Sequence, residues 1–223
     1  MRIVAVPAVT VVVQVGEAGL VAEAAGGTEH RGGMVSGLVP GVRQLSSARV
    51  DCVEVRMSPL TAYPLLGLAP RELSGTVAGL DEVWGRSGSA LRERLADTPG
   101  WQGRFTLTTR FLADHATRTT PDPEVAACWQ RIVGSGGRVR VGELLELTGW
   151  SQKRLWTRFT AQIGETPKRA AMVVRFRHAF DRLIAGEPAA AVATTCGYTD
   201  QSHLHRDIVT FAGTTPGALT PPT

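Results

Sequence analysis

The chain has 223 residues, 43% hydrophobic and 20% charged, with a formal net charge of +4. That apolar share supports a real core and excludes wholesale disorder, and the length suits one large domain or two small ones. No window approaches 18 uninterrupted apolar residues and Pro7 arrives too early for a signal-peptide core, so a cytoplasmic protein with no membrane partner is expected.

From the N-terminus the pattern is that of strands. Val9–Val15 is a β-branched run, and Leu20–Ala25, Met34–Val39, Val42–Ser46 and Val50–Met57 are further strand candidates. Gly26-Gly27, Gly32-Gly33 and Pro40-Gly41 separate them, which predicts a small sandwich or barrel. In the last strand Val53, Val55 and Met57 form the face expected inward, with Glu54 and Arg56 on the other. Past Pro59 the pattern turns helical. Leu60–Leu68 reads as a short helix and Asp81–Ala96 as a longer one with Val83, Trp84, Leu91 and Leu95 as its stripe. Phe105, Leu107, Phe111 and Leu112 mark a third. The polar, proline-bearing stretch Thr117–Pro123 is the expected domain boundary.

Beyond it six helices are expected, at Val125–Val133, Val141–Thr148, Ser151–Ile163, Pro167–Ala185, Pro188–Cys196 and Asp200–Phe211, joined by short loops. The charge is concentrated here. Residues 1–120 carry 12 basic and 11 acidic side chains, whereas residues 138–182 carry 10 basic against 4 acidic, a net of +6. Clustered positive charge suits a polyanion such as nucleic acid. Cys52, Cys128 and Cys196 are odd in number and widely spaced, which gives neither a disulfide framework nor a zinc pattern.

Residues 144–167 and 192–216 repeat one another. Leu144-Leu145-x3-Gly149-Trp150 is echoed by Val192-Ala193-x3-Gly197-Tyr198, and Leu155-x3-Phe159-x4-Gly164-x-Thr166-Pro167 by Leu204-x3-Ile208-x4-Gly213-x-Thr215-Pro216. In each copy a short helix stops at a glycine, an aromatic residue follows, and Ser151 or Asp200 caps a second helix. Leu155, Phe159 and Ile163 put one stripe of that second helix inward, as do Leu204, Ile208 and Phe211 in the other copy. That is a helix-turn-helix unit, and two copies joined by one arginine-rich helix point to DNA binding. The joining helix starts at Pro167 and runs about 18 residues, roughly 27 Å, which is compatible with two recognition helices ~34 Å apart in successive major grooves.

The motifs that carry the family likeness are Gly149-Trp150-Ser151, Leu155–Phe159, Gly164-Glu165-Thr166-Pro167-Lys168, Arg175-x2-His178-Ala179, Ala193-x3-Gly197-Tyr198-Thr199-Asp200-Gln201-Ser202-His203-Leu204-x-Arg206 and Gly213-Thr214-Thr215-Pro216. With them, residues 138–220 resemble the DNA-binding domain of the AraC/XylS family of bacterial transcription regulators. The fold class expected is α+β, with a small β-rich sensory or dimerisation domain over 1–116, a linker over 117–123 and an all-α double helix-turn-helix domain over 124–223. The function expected is that of a sequence-specific transcriptional regulator whose recognition helices, about 151–163 and 200–211, enter adjacent major grooves of double-stranded DNA. A small-molecule effector, a second copy of the chain and RNA polymerase are further candidate partners.

Outward faces name the candidate contacts. Gln152, Lys153, Trp156 and Thr157 on the first helix, and Gln201, Ser202, His205 and Arg206 on the second, are expected to read bases. For Lys153, Trp156 and Thr157 the family resemblance implies the same. Ser151, Arg154, Arg158, Lys168, Arg169, Asp200 and His203 are expected at phosphates. Arg175 and Arg177 read as phosphate contacts or surface charge, with a structural role as the other option for Arg175. Two residues depart from the family pattern: Thr157 stands where arginine is common, and Leu145 where the first helix usually has a small residue.

The N-terminal half offers little chemistry. Its only histidines through residue 120 are His30 and His115, and no His/carboxylate spacing, catalytic triad or phosphate loop is evident, so neither a metal, a cofactor nor catalytic residues are expected. Glu54 and Arg56 read as a solvated face rather than a pocket, and Cys52 as inert. The other function class is a small-molecule-binding or enzymatic β-barrel with a helical scaffold that does not bind DNA. The repeat favours the regulator.

Overall fold

The structure, a computed structural model, describes residues 4–16, 21–24, 28–39, 42–46 and 51–219. The fold is α+β, with strands in the N-terminal part and helices after it. Contacts divide the described residues into two compact units. One comprises Ala8–Pro121 with Ala161–Gly164. The other comprises Val4–Pro7, Asp122–Thr160 and the residues from Glu165 onward.

The first unit holds two antiparallel sheets. Strands β1 (Val9–Gln14), β4 (Gly33–Ser36), β6 (Cys52–Met57) and β7 (Val77–Gly79) form one, in the order β6-β1-β4-β7. Strands β2 (Val21–Ala24), β3 (Glu29–Arg31) and β5 (Val42–Ser46) form the other, in the order β3-β2-β5. β1 is buried along its whole length because both its faces are covered, which is why Val9–Val13 is an unbroken β-branched run. Val9, Val11 and Val13 join a core with Val35, Val53, Leu66, Leu91, Leu95 and Phe111, while Val12 joins Ala22, Met34 and Val77. The face expected inward on β6 is inward: Val53 and Met57 are buried, and Val55 packs against the same core. Glu54 and Arg56 are exposed and pair with each other at 2.7 Å.

Two helical expectations in this unit are corrected. Leu60–Leu68 is not one helix. Helix α1 covers only Pro59–Ala62, because Pro64 has no N–H to offer the next turn. Asp81–Ala96 is broken into α2 (Leu80–Trp84) and α3 (Arg86–Asp97) at Gly85, whose φ of +55° lies in the left-handed region. Helix α4 (Trp101–Asp114) follows as expected. The three-residue strands β3 and β7 escaped the sequence pattern: two of the three β3 residues are charged, and neither strand is long enough to show alternation. The ends of the strand candidates at Leu20, Ala25 and Val50 lie outside the described residues.

The second unit is helical: α5 (Pro123–Gly134), α6 (Val141–Thr148), α7 (Gln152–Ile163, through Thr160 in this unit), α8 (Pro167–Ile184), α9 (Ala189–Thr195) and α10 (Gln201–Ala212). Each lies within two residues of its expected bounds. Helix α8 runs through the middle of the unit and packs against α5, α9 and α10, with Ala170, Val173, Phe176, Ala179 and Leu183 fully buried. The Ala5 N–H donates to the Phe211 carbonyl at 3.1 Å, which ties the Val4–Pro7 segment to this unit. Burial pushes the Cys128 thiol up to about 11 and raises those of Cys52 and Cys196 as well, so all three stay protonated and unreactive near neutrality.

Candidate nucleic-acid interface

The first helix-turn-helix is α6 and α7. Glu143 fixes the start of α6, accepting from the Arg140 backbone N–H at 2.9 Å and from Arg131 at 2.8 Å. Those bonds hold its carboxyl below the usual carboxylate range, the Arg140 backbone bond contributing most. The helix stops at Gly149, in the left-handed conformation at φ +65°, where the N–H returns to the Leu145 carbonyl. Trp150 then sits half-buried in the turn with the Arg154 guanidinium over its ring at 4.4 Å. Ser151 Oγ accepts from the Arg154 N–H, and α7 begins. Leu155, Phe159 and Ile163 are almost wholly buried, so the opposite face of α7 is the outward one. Leu144 is fully buried, whereas Leu145 stays half-buried where its counterpart Ala193 is buried. The larger side chain keeps part of its surface outside the joint.

The second unit repeats the design with α9 and α10. Gly197 takes φ +75°, Tyr198 is buried in the turn, and the Asp200 carboxylate accepts from the His203 N–H at 2.7 Å to cap α10. Leu204, Ile208 and Phe211 face the core. Burial, with the Asp207 carboxylate next, raises the Tyr198 phenol well above its ordinary range, so its hydroxyl stays neutral. Between the units, Thr166 caps α8 by accepting from the Arg169 N–H at 3.2 Å, with Pro167 at its first position.

The candidate base readers divide by exposure. Gln152, Lys153 and Thr157 are exposed on α7, and Trp156 is half-buried. Gln201, Ser202, His205 and Arg206 are all exposed on α10 and line one cleft with Thr215, Pro216 and Gly217, which sequence reasoning had not placed there. Arg206 Nε reaches back to the Ser202 carbonyl at 3.4 Å, so the guanidinium lies along its own helix.

Several candidate phosphate contacts have other work. Ser151 and Asp200 cap their helices. Arg158 donates twice to Asp122, at 2.6 and 2.7 Å, and Arg169 lies 3.3 Å from the buried Glu165. His203 is half-buried against Arg175 at 3.3 Å. Arg154 and Lys168 are exposed. For Arg175 the structural option holds: its Nη2 donates to Asp207 Oδ2 at 3.1 Å, its guanidinium lies 4.5 Å from the Tyr198 ring centre, and the ion pair is mostly buried. This contact joins the connecting helix to the second recognition helix. Asp207 had given no signal in the sequence, because its partner is 32 residues away and meets it only through packing.

Among the described residues no group of three or more histidine, cysteine or carboxylate side chains is placed to hold a metal, and no helix is long and apolar enough to cross a membrane.

Comparison with known proteins matches this part of the chain to a family and nearly the whole chain to solved structures. The family described as "Helix-turn-helix domain" (HTH_18) matches residues 144–220. The HTH-type transcriptional regulator YbfI of Bacillus subtilis is 38% identical over 66 residues, and the matched stretch is 24% of that protein's length and 30% of this one. The solved structure of apo ToxT K231A from Vibrio cholerae shares the fold over 97% of this chain and 90% of its own, at a TM-score of 0.54 and 11% identity. ToxT bound to (E)-4-(8-methylnaphthalen-1-yl)but-3-enoic acid matches over 98% and 92%, at a TM-score of 0.52 and 13% identity. Two helix-turn-helix units built alike, joined by one helix and matched over 144–220, make this part of the chain a helix-turn-helix domain of the AraC type.

Proposed function

We propose that the protein is a sequence-specific, non-enzymatic transcription regulator that lays α7 and α10 in neighbouring major grooves of double-stranded DNA. The observation that carries this reading is the pair of outward faces. Both recognition helices bury the same stripe and leave polar, hydrogen-bonding side chains exposed, and residues 138–182, which contain the first of them, carry a net charge of +6. By their chemistry Gln201 suits adenine, Arg206 guanine or a phosphate, and Lys153 guanine. Gln152, Trp156, Thr157, Ser202 and His205 complete the base-facing set. Arg154 and Lys168 supply affinity without sequence preference. Arg158, Arg169 and His203 reach phosphates only by giving up or sharing their present partners, and the helix N-termini capped by Ser151 and Asp200 offer backbone N–H groups instead.

The N-terminal unit is the sensing half of the same reading. The matched ToxT structure holds a carboxylic acid, which supports a small-molecule effector for this chain, and pairing of two copies and contact with RNA polymerase belong to the same proposal. Fluorescence anisotropy of the full chain on DNA selected from a random pool tests it. With ~4–8 phosphates contacted, log affinity should fall against log salt with a slope of about −4 to −7. A flat salt response, or a pool that yields no preferred sequence, contradicts it.

A further inference from the structure

The first unit contains a cavity of about 440 Å³ where β3, β7, α2 and the 3-10 turn Pro70–Leu73 meet. That is within the size range of small-molecule sites. His30 on β3 lines it with a side chain only 6% exposed, and His30 Nδ1 lies 3.3 Å from Glu82 Oε1 at the start of α2. The His30 ring nitrogen Nδ1 therefore faces the Glu82 carboxylate. Glu72 adds a second carboxylate to the lining, and Thr28 and Thr76 add hydroxyls. Among the described residues the lining contains neither lysine nor arginine. Leu68, Leu73 and Val77 supply an apolar wall. Gly79 makes the pair fit, since a Cβ there would stand 3.2 Å from His30 Nδ1 and 3.6 Å from Glu82 Oε1.

We infer that this cavity binds a small organic cation, an amine with an apolar body. Its ammonium group faces Glu72 and Glu82 and its hydrocarbon part lies along Leu68, Leu73 and Val77. Three ammonium N–H donors match the carboxylates and hydroxyls of the lining, whereas a carboxylic acid meets two like charges and neither lysine nor arginine. A metal ion is a poorer occupant, because no third ligand joins the His30–Glu82 pair among the described residues. The inference rests on the regulator reading only for its consequence, the control of DNA binding.

Calorimetry of the full chain with hexylamine, hexan-1-ol and hexanoate tests it, with DNA affinity measured on the same preparation. Hexylamine is expected to bind at least about tenfold more tightly than the alcohol, with hexanoate weakest. Glu72→Gln and Glu82→Gln should each weaken the amine about fivefold to tenfold while leaving thermal unfolding and DNA affinity without ligand unchanged. Equal binding of amine and alcohol, preference for hexanoate, or no hexylamine binding below about 1 mM by a chain that binds DNA overturns the cation site alone. Amine binding that both variants weaken, in a chain that binds no DNA, leaves the site standing and overturns the regulator reading.

Discussion

At the scale of single residues, the side chains proposed to read bases are distinct from those that hold the backbone. Gln201 and Arg206 are exposed on the outward face of α10, and in the proposed complex Arg206 exchanges the Ser202 carbonyl for a base edge. Gln201→Ala and Arg206→Ala should each cost about 1–3 kcal/mol on the selected site and relax the preference at one base pair. Arg154 stacks on Trp150 at the entrance to α7, so Arg154→Ala should weaken selected and random DNA about equally. Competition titrations against single-base variants of the site distinguish the two outcomes, and the same uniform loss from Arg206→Ala and Arg154→Ala contradicts the orientation of α10. Which face turns outward was legible in the sequence, because residues 155, 159 and 163 and residues 204, 208 and 211 repeat at helical spacing. What each polar residue does there was not. Capping by Ser151 and Asp200 was legible, but that it occupies the same side chains expected at phosphates shows only in space. Arg158 looks like a phosphate contact and is clamped by a carboxylate 36 residues away.

At the scale of elements, the second recognition helix is held by a polar contact as well as by its apolar stripe. Arg175 of α8 and Asp207 of α10 are 16% and 6% exposed, and the Tyr198 ring covers the guanidinium. Removing one partner leaves the other charge buried without its counter-ion. Asp207→Ala and Arg175→Ala should therefore each lower stability by about 2–4 kcal/mol in urea unfolding, with the double variant costing clearly less than the sum. Additive effects, or losses under about 0.5 kcal/mol, contradict a coupled pair. The helices of this half were legible almost to the residue, because caps and stops are local: Ser151, Thr166-Pro167 and Asp200 start helices, and Gly149, Gly197 and Gly213 end or turn them. The N-terminal half was less so. The apolar stripe Val83, Trp84, Leu91, Leu95 continues across Gly85 although the backbone breaks there, and only the glycine itself carried the warning. β3 and β7 exist through their ladder partners rather than through any pattern of their own.

At the scale of the whole molecule, the account is modular. Thr117–Thr120 are exposed, and the contact boundary falls between Pro121 and Asp122. Trypsin should cut first at Arg118 and release a C-terminal fragment that stays folded and keeps most of its DNA affinity, as circular dichroism and anisotropy of the purified fragment would report. The fragment loses the Ala5–Phe211 backbone bond, a cost of about 1 kcal/mol, which six packed helices should absorb. Protection of Arg118, or unfolding of the fragment, contradicts the division. The paired helix-turn-helix architecture makes a sharper claim, because α8 follows α7 directly in the chain and packs against α10. Methylation-interference footprinting of the full chain on its selected site tests it most directly. The account predicts two interference patches on one face of the duplex, centred about 10–10.5 bp apart, the first weakened by Lys153→Ala and the second by Arg206→Ala. A single patch, or two patches that both respond to the same substitution, would contradict two recognition helices in adjacent major grooves.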